Sequence, residues 1–316
     1  MPNKEIFTRR NFVHATLIGA FTLLAACQKE NEIIQSTALP GNTPTTLPTE
    51  IPTQTSTPEP TATSTPEPTP TEVINPVEQI PYNPDQKILV LEHHNPSYGV
   101  SGDEYEPVYM TAENFEEQLK KMHEMDFYTP TEEELLGWLD GKHGLPEKSV
   151  IIRIDIGVPK KDYELGFQLL EKYNFNAILF ILTDLLPEKE SEKLVGWDTI
   201  QRYVEKGTVI PASHGTYHPY YSKLSEADAL WDALNSKRII EEKVGREIHF
   251  FAYPYDNIGH DGALLDYFKM LFATFGTNYA HAGNPRVGTF YPYIQKGYFN
   301  WEKFDNYLES VSEESE

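Results

Sequence analysis

From Lys87 onward, short apolar runs alternate with longer segments whose apolar residues recur at helical spacing. The run Lys-Ile-Leu-Val-Leu-Glu over 87–92 predicts a buried strand leading into His93-His94. Phe115, Leu119 and Met122 share one helical face, so a helix is predicted over 112–125, capped by Thr111. Thr131 with Glu134 makes a capping box for a second helix ending at Leu139, before Gly144-Leu145-Pro146. Further strands are expected over 149–156, 176–182, 208–212, 247–252 and 271–275. Helices are expected between them over 162–172, 197–206, 225–244 and 262–269, with a last one over 301–308. Strand alternating with helix implies parallel strands joined by right-handed crossovers, an α/β sheet or barrel.

Residues before this region belong to two other kinds of polymer. Lys4, Arg9 and Arg10 precede an apolar stretch over 12–26 that ends at Cys27. That stretch is shorter than the ~20 residues a membrane span needs. Residues 1–26 therefore read as a signal peptide, and Leu24-Ala25-Ala26-Cys27 resembles the lipobox of bacterial lipoproteins, in which the cysteine is acylated. A cleaved soluble protein with an incidental cysteine is the other reading. Thr8-Arg9-Arg10-Asn11-Phe12 resembles a twin-arginine export signal, and a Sec signal with a basic start would look similar. Within residues 27–80, the stretch from about Gln35 to Pro76 is rich in Thr, Pro, Ser and Glu, with Thr57-Pro58-Glu59-Pro60-Thr61 recurring as Thr65-Pro66-Glu67-Pro68-Thr69. Such a composition cannot bury a core, so this segment is expected to be a disordered tether. At ~3.1 Å per residue, about 40 residues would reach on the order of 100 Å. The remainder, 81–316, is enough for one α/β domain.

A formal net charge of −22 argues against nucleic acid and anionic lipid as partners. It suits a neutral or cationic polymer, and equally a solvated, solubilising surface. Cys27 is the only cysteine, which excludes an internal disulfide, a cysteine metal site and a cysteine nucleophile from the domain.

The candidate chemistry centres on Ser213-His214-Gly215-Thr216-Tyr217-His218-Pro219, just past the apolar run 208–212. Two imidazoles four residues apart in a loop or single helical turn can face one ion, and imidazole suits Zn²⁺ and related divalent metals. Residues just beyond a strand's carboxyl end are where α/β folds keep their chemistry.

At these residues the chain resembles the polysaccharide deacetylase family, also called the NodB-homology domain, and within it a lipoprotein branch. Leu91-Glu92-His93-His94 is similar to that branch's first-strand motif, and the segment 115–140 followed by Leu145-Pro146-Glu147-Lys148-Ser149-Val150 is similar to what precedes its first catalytic motif. His214 and His218 match the family's two metal-binding histidines, with Gly215 replacing a hydroxyl residue. Phe251-Ala252-Tyr253-Pro254-Tyr255 resembles a variant of its groove motif. The resemblance implies a distorted (β/α) barrel with fewer than eight repeats. It also implies metal-dependent hydrolysis of N-acetyl groups on an amino-sugar polysaccharide such as peptidoglycan or a poly-N-acetylglucosamine.

The family's Thr-Phe-Asp-Asp-Gly motif corresponds here to Arg153-Ile154-Asp155-Ile156-Gly157. Asp155 stands at the base, while Ile156 stands where a metal-ligating Asp is expected; three protein ligands is the usual number at a catalytic zinc. An Arg that pairs with the base in much of the family is replaced by Ala252. Arg153, on the same face as Asp155 by strand periodicity, pairs with Asp155, spans the barrel mouth, or fills the metal's space. Glu92, His93 and His94 are candidate substitute ligands, His94 being as readily structural. The resemblance further implies an oxyanion contact at the Tyr255 backbone. A late histidine would protonate the leaving amine, for which His281 is the candidate, a surface loop histidine being its other reading. Tyr217, Tyr253 with Pro254, Tyr255 and Trp197 either stack on sugar rings or pack. Two rivals stay open: a non-catalytic glycan-binding lipoprotein, favoured by Ile156 and Ala252, and an O-acetyl polysaccharide esterase.

Lipidation makes one measurable claim. Cys27→Ser is expected to move the full-length protein from the membrane fraction to the soluble exported fraction on cell fractionation, and an unchanged membrane fraction would rule the anchor out.

Overall fold

The computed structural model describes residues 76–94, 110–157, 161–273, 279–288 and 301–313. The expected signal segment, Cys27 and nearly all of the expected tether lie outside them.

Eight strands form one sheet: β1 (Lys87–His93), β2 (Val150–Ile156), β3 (Ala177–Ile181), β4 (Val209–Ser213), β5 (Phe250–Ala252), β6 (Met270–Phe272), β7 (Tyr279–His281) and β8 (Arg286–Val287). Their order is β7-β1-β2-β3-β4-β5-β6-β8. Neighbouring pairs are parallel except for β7, which runs antiparallel to β1. The two edges meet where the Gly288 N–H donates to the Tyr279 carbonyl at 3.1 Å. The result is a nearly closed, distorted (β/α) barrel, as the resemblance implied. The helices are α1 (Ala112–Glu124), α2 (Glu132–Leu139), α3 (Asp162–Lys172), α4 (Trp197–Glu205), α5 (Glu226–Val244), the short α6 (Asp261–Leu264) and α7 (Trp301–Glu313).

The helix starts follow the capping chemistry. Thr111 and Ser225 accept from the backbone N–H groups of Asn114 and Asp228, and Thr131 with Glu134 completes the capping box. Gly245, at φ 73°, ends α5 in the left-handed conformation that glycine adopts without strain. The second half of the barrel departs most from expectation. β5 and β6 are shorter than their apolar runs, α6 is a single turn, and β7 and β8 carry no alternation long enough to announce a strand. Pro211, in the middle of β4, supplies no N–H to the ladder, and β4 meets β5 at one registered pair, Ser213 with Phe251.

Pleating divides the strands between two apolar layers. Val90, Ile151, Ile178, Phe180, Ile210 and Phe272 fill the barrel interior, while Leu91, Ile152, Ile154, Leu179 and Phe251 pack under the helices. Leu135 and Trp138 of α2 join the interior layer and close its N-terminal end, where the Trp138 indole donates to Gln86 at 2.8 Å. A cavity of about 880 Å³ lies at this closed end, lined by Glu132, Leu136, His143, Val209, Ile210 and Arg246. It is remote from the histidine pair, which stands beyond the opposite ends of the strands.

Phe180 is buried in the interior with its ring 4.9 Å from that of Phe272 and 5.4 Å from the Arg153 guanidinium carbon. Phe180→Ala should lower unfolding free energy by about 3–5 kcal/mol, the range for emptying a well-packed aromatic site, as read from urea midpoints at unchanged slope.

Candidate active site

The C-terminal ends of β1, β2, β4 and β5 converge on a cluster organised by Arg153. Its side chain points into the barrel and is 1% exposed. Nε donates to Asp155 Oδ1 at 2.8 Å and an Nη donates to Asp155 Oδ2 at 2.5 Å, a bidentate pair. The other Nη lies 2.8 Å from Glu92 Oε2 and 3.6 Å from Asp256 Oδ1. Periodicity placed Arg153 and Asp155 on one face, and the structure shows the two paired there. Burial opposes the charge on Arg153, but Asp155, Glu92 and Asp256 more than offset it, so its pKa is raised and it stays charged. Burial likewise pushes the Asp155 carboxyl up, yet Arg153 and, more weakly, His214 bring it down to about 2.

His214 and His218 come together above Asp155. His214 Nδ1–H donates to the Ala252 carbonyl at 2.9 Å, which fixes the tautomer and leaves the lone pair on Nε2. That nitrogen lies 3.1 Å from His218 Nε2 and 3.6 Å from Asp155 Oδ2. Burial lowers the His214 pKa to about 3 and lowers that of His218, so both are neutral near pH 7, the form that ligates metal.

A divalent cation is compatible with this donor set. Two nitrogens on one tetrahedral zinc would be about 3.3 Å apart, close to the separation found. Formal charges point the same way, since Glu92, Asp155 and Asp256 carry three negatives against the single positive of Arg153. Glu92, His94 and Asp155 form a second possible ligand group, with one donor atom each within 4.8 Å of the others. Ile156, at the position where the resemblance expects a carboxylate, is buried in the helix-side layer.

The other candidates separate. His93, one residue from Glu92 and so on the opposite face, turns away from the mouth; its Nε2 meets Gln118 Oε1 of α1 at 2.8 Å and its ring packs edge-on to Phe115. It is part of the helix-side packing and not a substitute ligand. His281 is registered against Lys87, at the start of β1, so about 16 Å of strand at ~3.3 Å per residue separates it from Glu92 of the cluster. The expectation of a leaving-group acid there is corrected. Trp197, 7% exposed, packs in the helix layer under Lys243, and Tyr253, 0% exposed, is wedged between Tyr221 and Phe251. Neither can stack on a sugar. Pro254 is buried also, and it opens a turn in which Tyr255 adopts φ 58° and is carried out to the rim. There Tyr255 stacks on Tyr220 and stands edge-on to His218, while Tyr217 is exposed beside it in sequence.

Sequence reasoning missed Asp256, Tyr220, Trp231 and, above all, Asp232. The buried Asp232 carboxylate accepts from the Thr216 N–H at 3.1 Å, the Tyr217 N–H at 3.1 Å and the Tyr221 hydroxyl at 2.8 Å, so it holds the loop that carries both histidines. Gly215, at φ 80°, makes room for it: a Cβ there would lie 2.4 Å from Asp232 Oδ2. The available signal was a carboxylate on the buried stripe of α5, in helical spacing with Ala229, Ser236 and Ile240.

Residues 142–267 match the family model described as polysaccharide deacetylase. The comparison with curated proteins returned no match. Among solved structures, the Streptococcus pyogenes deacetylase PplD in complex with acetate is 18% identical, with a TM-score of 0.60 over 72% of this chain and 99% of that one. IcaB from Ammonifex degensii is 19% identical, with a TM-score of 0.58 over 72% and 97%. BC0361, a polysaccharide deacetylase from Bacillus cereus, is 18% identical, with a TM-score of 0.58 over 72% and 69%. Identities this low establish the fold alone, and the segment similar to the polysaccharide deacetylase model is the one that holds Asp155, His214 and His218.

The buried neutral imidazole of His93 generates a pH dependence. Desolvation lowers its pKa to about 4. A folded-state pKa below the unfolded value contributes stability that is complete above the unfolded pKa of about 6.5 and is lost as pH falls through the folded one. Its share is on the order of 3 kcal/mol. Urea midpoints of the native protein should fall between pH 6.5 and 4, and His93→Gln should flatten that window; equal slopes for both proteins would contradict the assignment.

Proposed function

We propose that the chain is a metal-dependent de-N-acetylase of amino-sugar polysaccharide, held to the outer side of the bacterial cell membrane through lipidated Cys27. The observation that carries the reading is the neutral His214–His218 pair, 3.1 Å between Nε2 atoms, beside an ionised Asp155 in the segment similar to the polysaccharide deacetylase model. His214 and His218 would hold the ion, with Glu92 and His94 within reach of Asp155 as further donors. Bound there, a divalent ion, zinc by donor type, would acidify the attacking water and polarise the amide oxygen, which suits a base whose proton affinity Arg153 has lowered.

The chain's own groups supply the remaining chemistry. Asp155, oriented by two hydrogen bonds from Arg153, accepts the water's proton. The Tyr255 backbone N–H, in the turn after β5, would steady the oxyanion. With His281 remote, the proton that Asp155 takes from the water is the one the leaving nitrogen needs, and Asp155 would return it as acetate and amine separate. The substrate is a neutral N-acetylhexosamine polymer of the cell envelope or exopolysaccharide, in keeping with the acidic mouth and the net charge of −22.

The bidentate clamp on Asp155 and the apolar Ile156 also favour a second reading, a glycan-binding lipoprotein without turnover. One experiment separates them. The native full-length protein should bind Zn²⁺ in calorimetry and release acetate from N-acetylglucosamine oligomers, whereas His214→Ala should lose both, acetate release by at least about 100-fold. Oligomer binding without acetate release at any zinc level would establish the non-catalytic reading, and release from O-acetylated xylan alone would make the protein an esterase.

A further inference from the structure

Large apolar side chains that stay exposed are unevenly distributed among the described residues. Of Leu165, Leu185, Tyr217, Tyr220, Trp231, Tyr255 and Tyr267, four are aromatic rings associated with the histidine loop. Two of these already have close neighbours: Tyr220 stacks on Tyr255 at 4.4 Å with the Lys223 ammonium 4.2 Å from its ring centre, and Tyr255 has His218 edge-on at 4.3 Å. They form a wall. Tyr217 and Trp231 differ. Their rings are nearly parallel, 14° between planes and 5.9 Å between centres, and they are 57% and 55% exposed. Among the described ring contacts, Trp231 touches Tyr217 alone.

This pair is held in place by the same group that holds the histidines. Asp232 Oδ1 accepts the Tyr217 N–H at 3.1 Å, and Trp231 precedes Asp232 on α5. Loop and helix are thus registered to each other, and the two rings already stack without a ligand, an arrangement that reduces the entropic cost of binding. Tyr217 is also adjacent in the chain to His218, so its Cα is about 3.8 Å from that of a histidine of the site. The carboxylates of Glu92, Asp155 and Asp256 outnumber the one guanidinium nearby, so a polyanion is disfavoured. Flat, ordered, solvent-facing aromatic rings beside a site of this charge suit the C–H face of an uncharged pyranose.

We propose that Tyr217 and Trp231 form a second saccharide subsite, which takes a sugar unit flanking the one presented to His214 and His218. The ligand is then the interior of a neutral amino-sugar chain and not a single sugar. This inference rests on the polysaccharide reading above and deepens it.

The test uses full-length protein and N-acetylglucosamine oligomers from disaccharide to hexasaccharide, reading acetate release and tryptophan fluorescence together. In the native protein the hexasaccharide should bind more tightly than the disaccharide and shift the emission of Trp231. Trp231→Ala should raise KM for the hexasaccharide about tenfold with little change in kcat. Trp231→Phe, which keeps a ring, should retain most of the affinity while losing the emission shift. Tyr267→Ala, an exposed ring outside the site, serves as the control and should behave as native. Trp231 is half exposed, so the variants should fold, and their melting temperatures check this. A Trp231-dependent shift without acetate release would uphold the subsite while sinking the deacetylase reading. Acetate release with equal KM for native and Trp231→Ala, or with no preference for longer oligomers, would overturn the subsite and leave that reading standing. Absence of any response to the oligomers would overturn the subsite as well.

Discussion

A guanidinium buried at the carboxyl end of a parallel barrel is the constraint on which the rest of this site depends. Arg153 comes from β2, yet its partners come from three places: Glu92 on β1, Asp155 on its own strand and Asp256 in the turn after β5. Charges this deep are strongly desolvated, so they persist only as a paired set, and losing one partner of such a set typically costs ~3–5 kcal/mol. The set also determines what Asp155 can do. Held ionised, it is an acceptor over the whole working pH range, but a weak base, and the chemistry at the mouth has to be compatible with that. Phe180 beneath the guanidinium marks the boundary where the apolar interior gives way to the polar mouth.

The histidine loop depends on a second buried charge. Asp232 reaches from α5 to two backbone N–H groups and a tyrosine hydroxyl, and it does so through the space that a side chain at position 215 would fill. The left-handed conformation of His218, φ 57°, belongs to this same turn. A loop in sparsely populated backbone regions keeps its shape only when the surroundings over-determine it, and here the buried helix carboxylate supplies that. One group thereby positions both the imidazoles and the exposed ring of Tyr217.

The aromatic residues show how one short turn separates core from rim. Tyr253 and Tyr255 are two residues apart, a spacing that on a regular strand would put them on the same face. Pro254 and the positive φ of Tyr255 break the strand between them, so Tyr253 is sealed under Phe251 while Tyr255 faces solvent beside His218.

Much of the architecture was legible along the chain, because it rests on local chemistry. Strands with apolar residues on both faces and helices with a single apolar stripe have different periods, and the caps at Thr111, Thr131 and Ser225 act within four residues. The family motifs likewise marked Asp155, His214 and His218 by short spacings, and period-two alternation anticipated the Arg153–Asp155 pair. Contacts between distant segments were not legible in this way. The two-residue strand β8 and the three-residue β7 exist because edges of a curved sheet are brought together, and no local pattern of that length distinguishes them from loop. His281 looked available because chain order hides which end of a barrel a residue reaches; antiparallel pairing with Lys87 sends it to the far one. Trp197 and Tyr253 carry the residue types of a sugar platform, but burial is decided by what packs over them. Asp232 became meaningful only once α5 was laid against the loop, since a carboxylate and the N–H groups it satisfies can be far apart in sequence and still share one site.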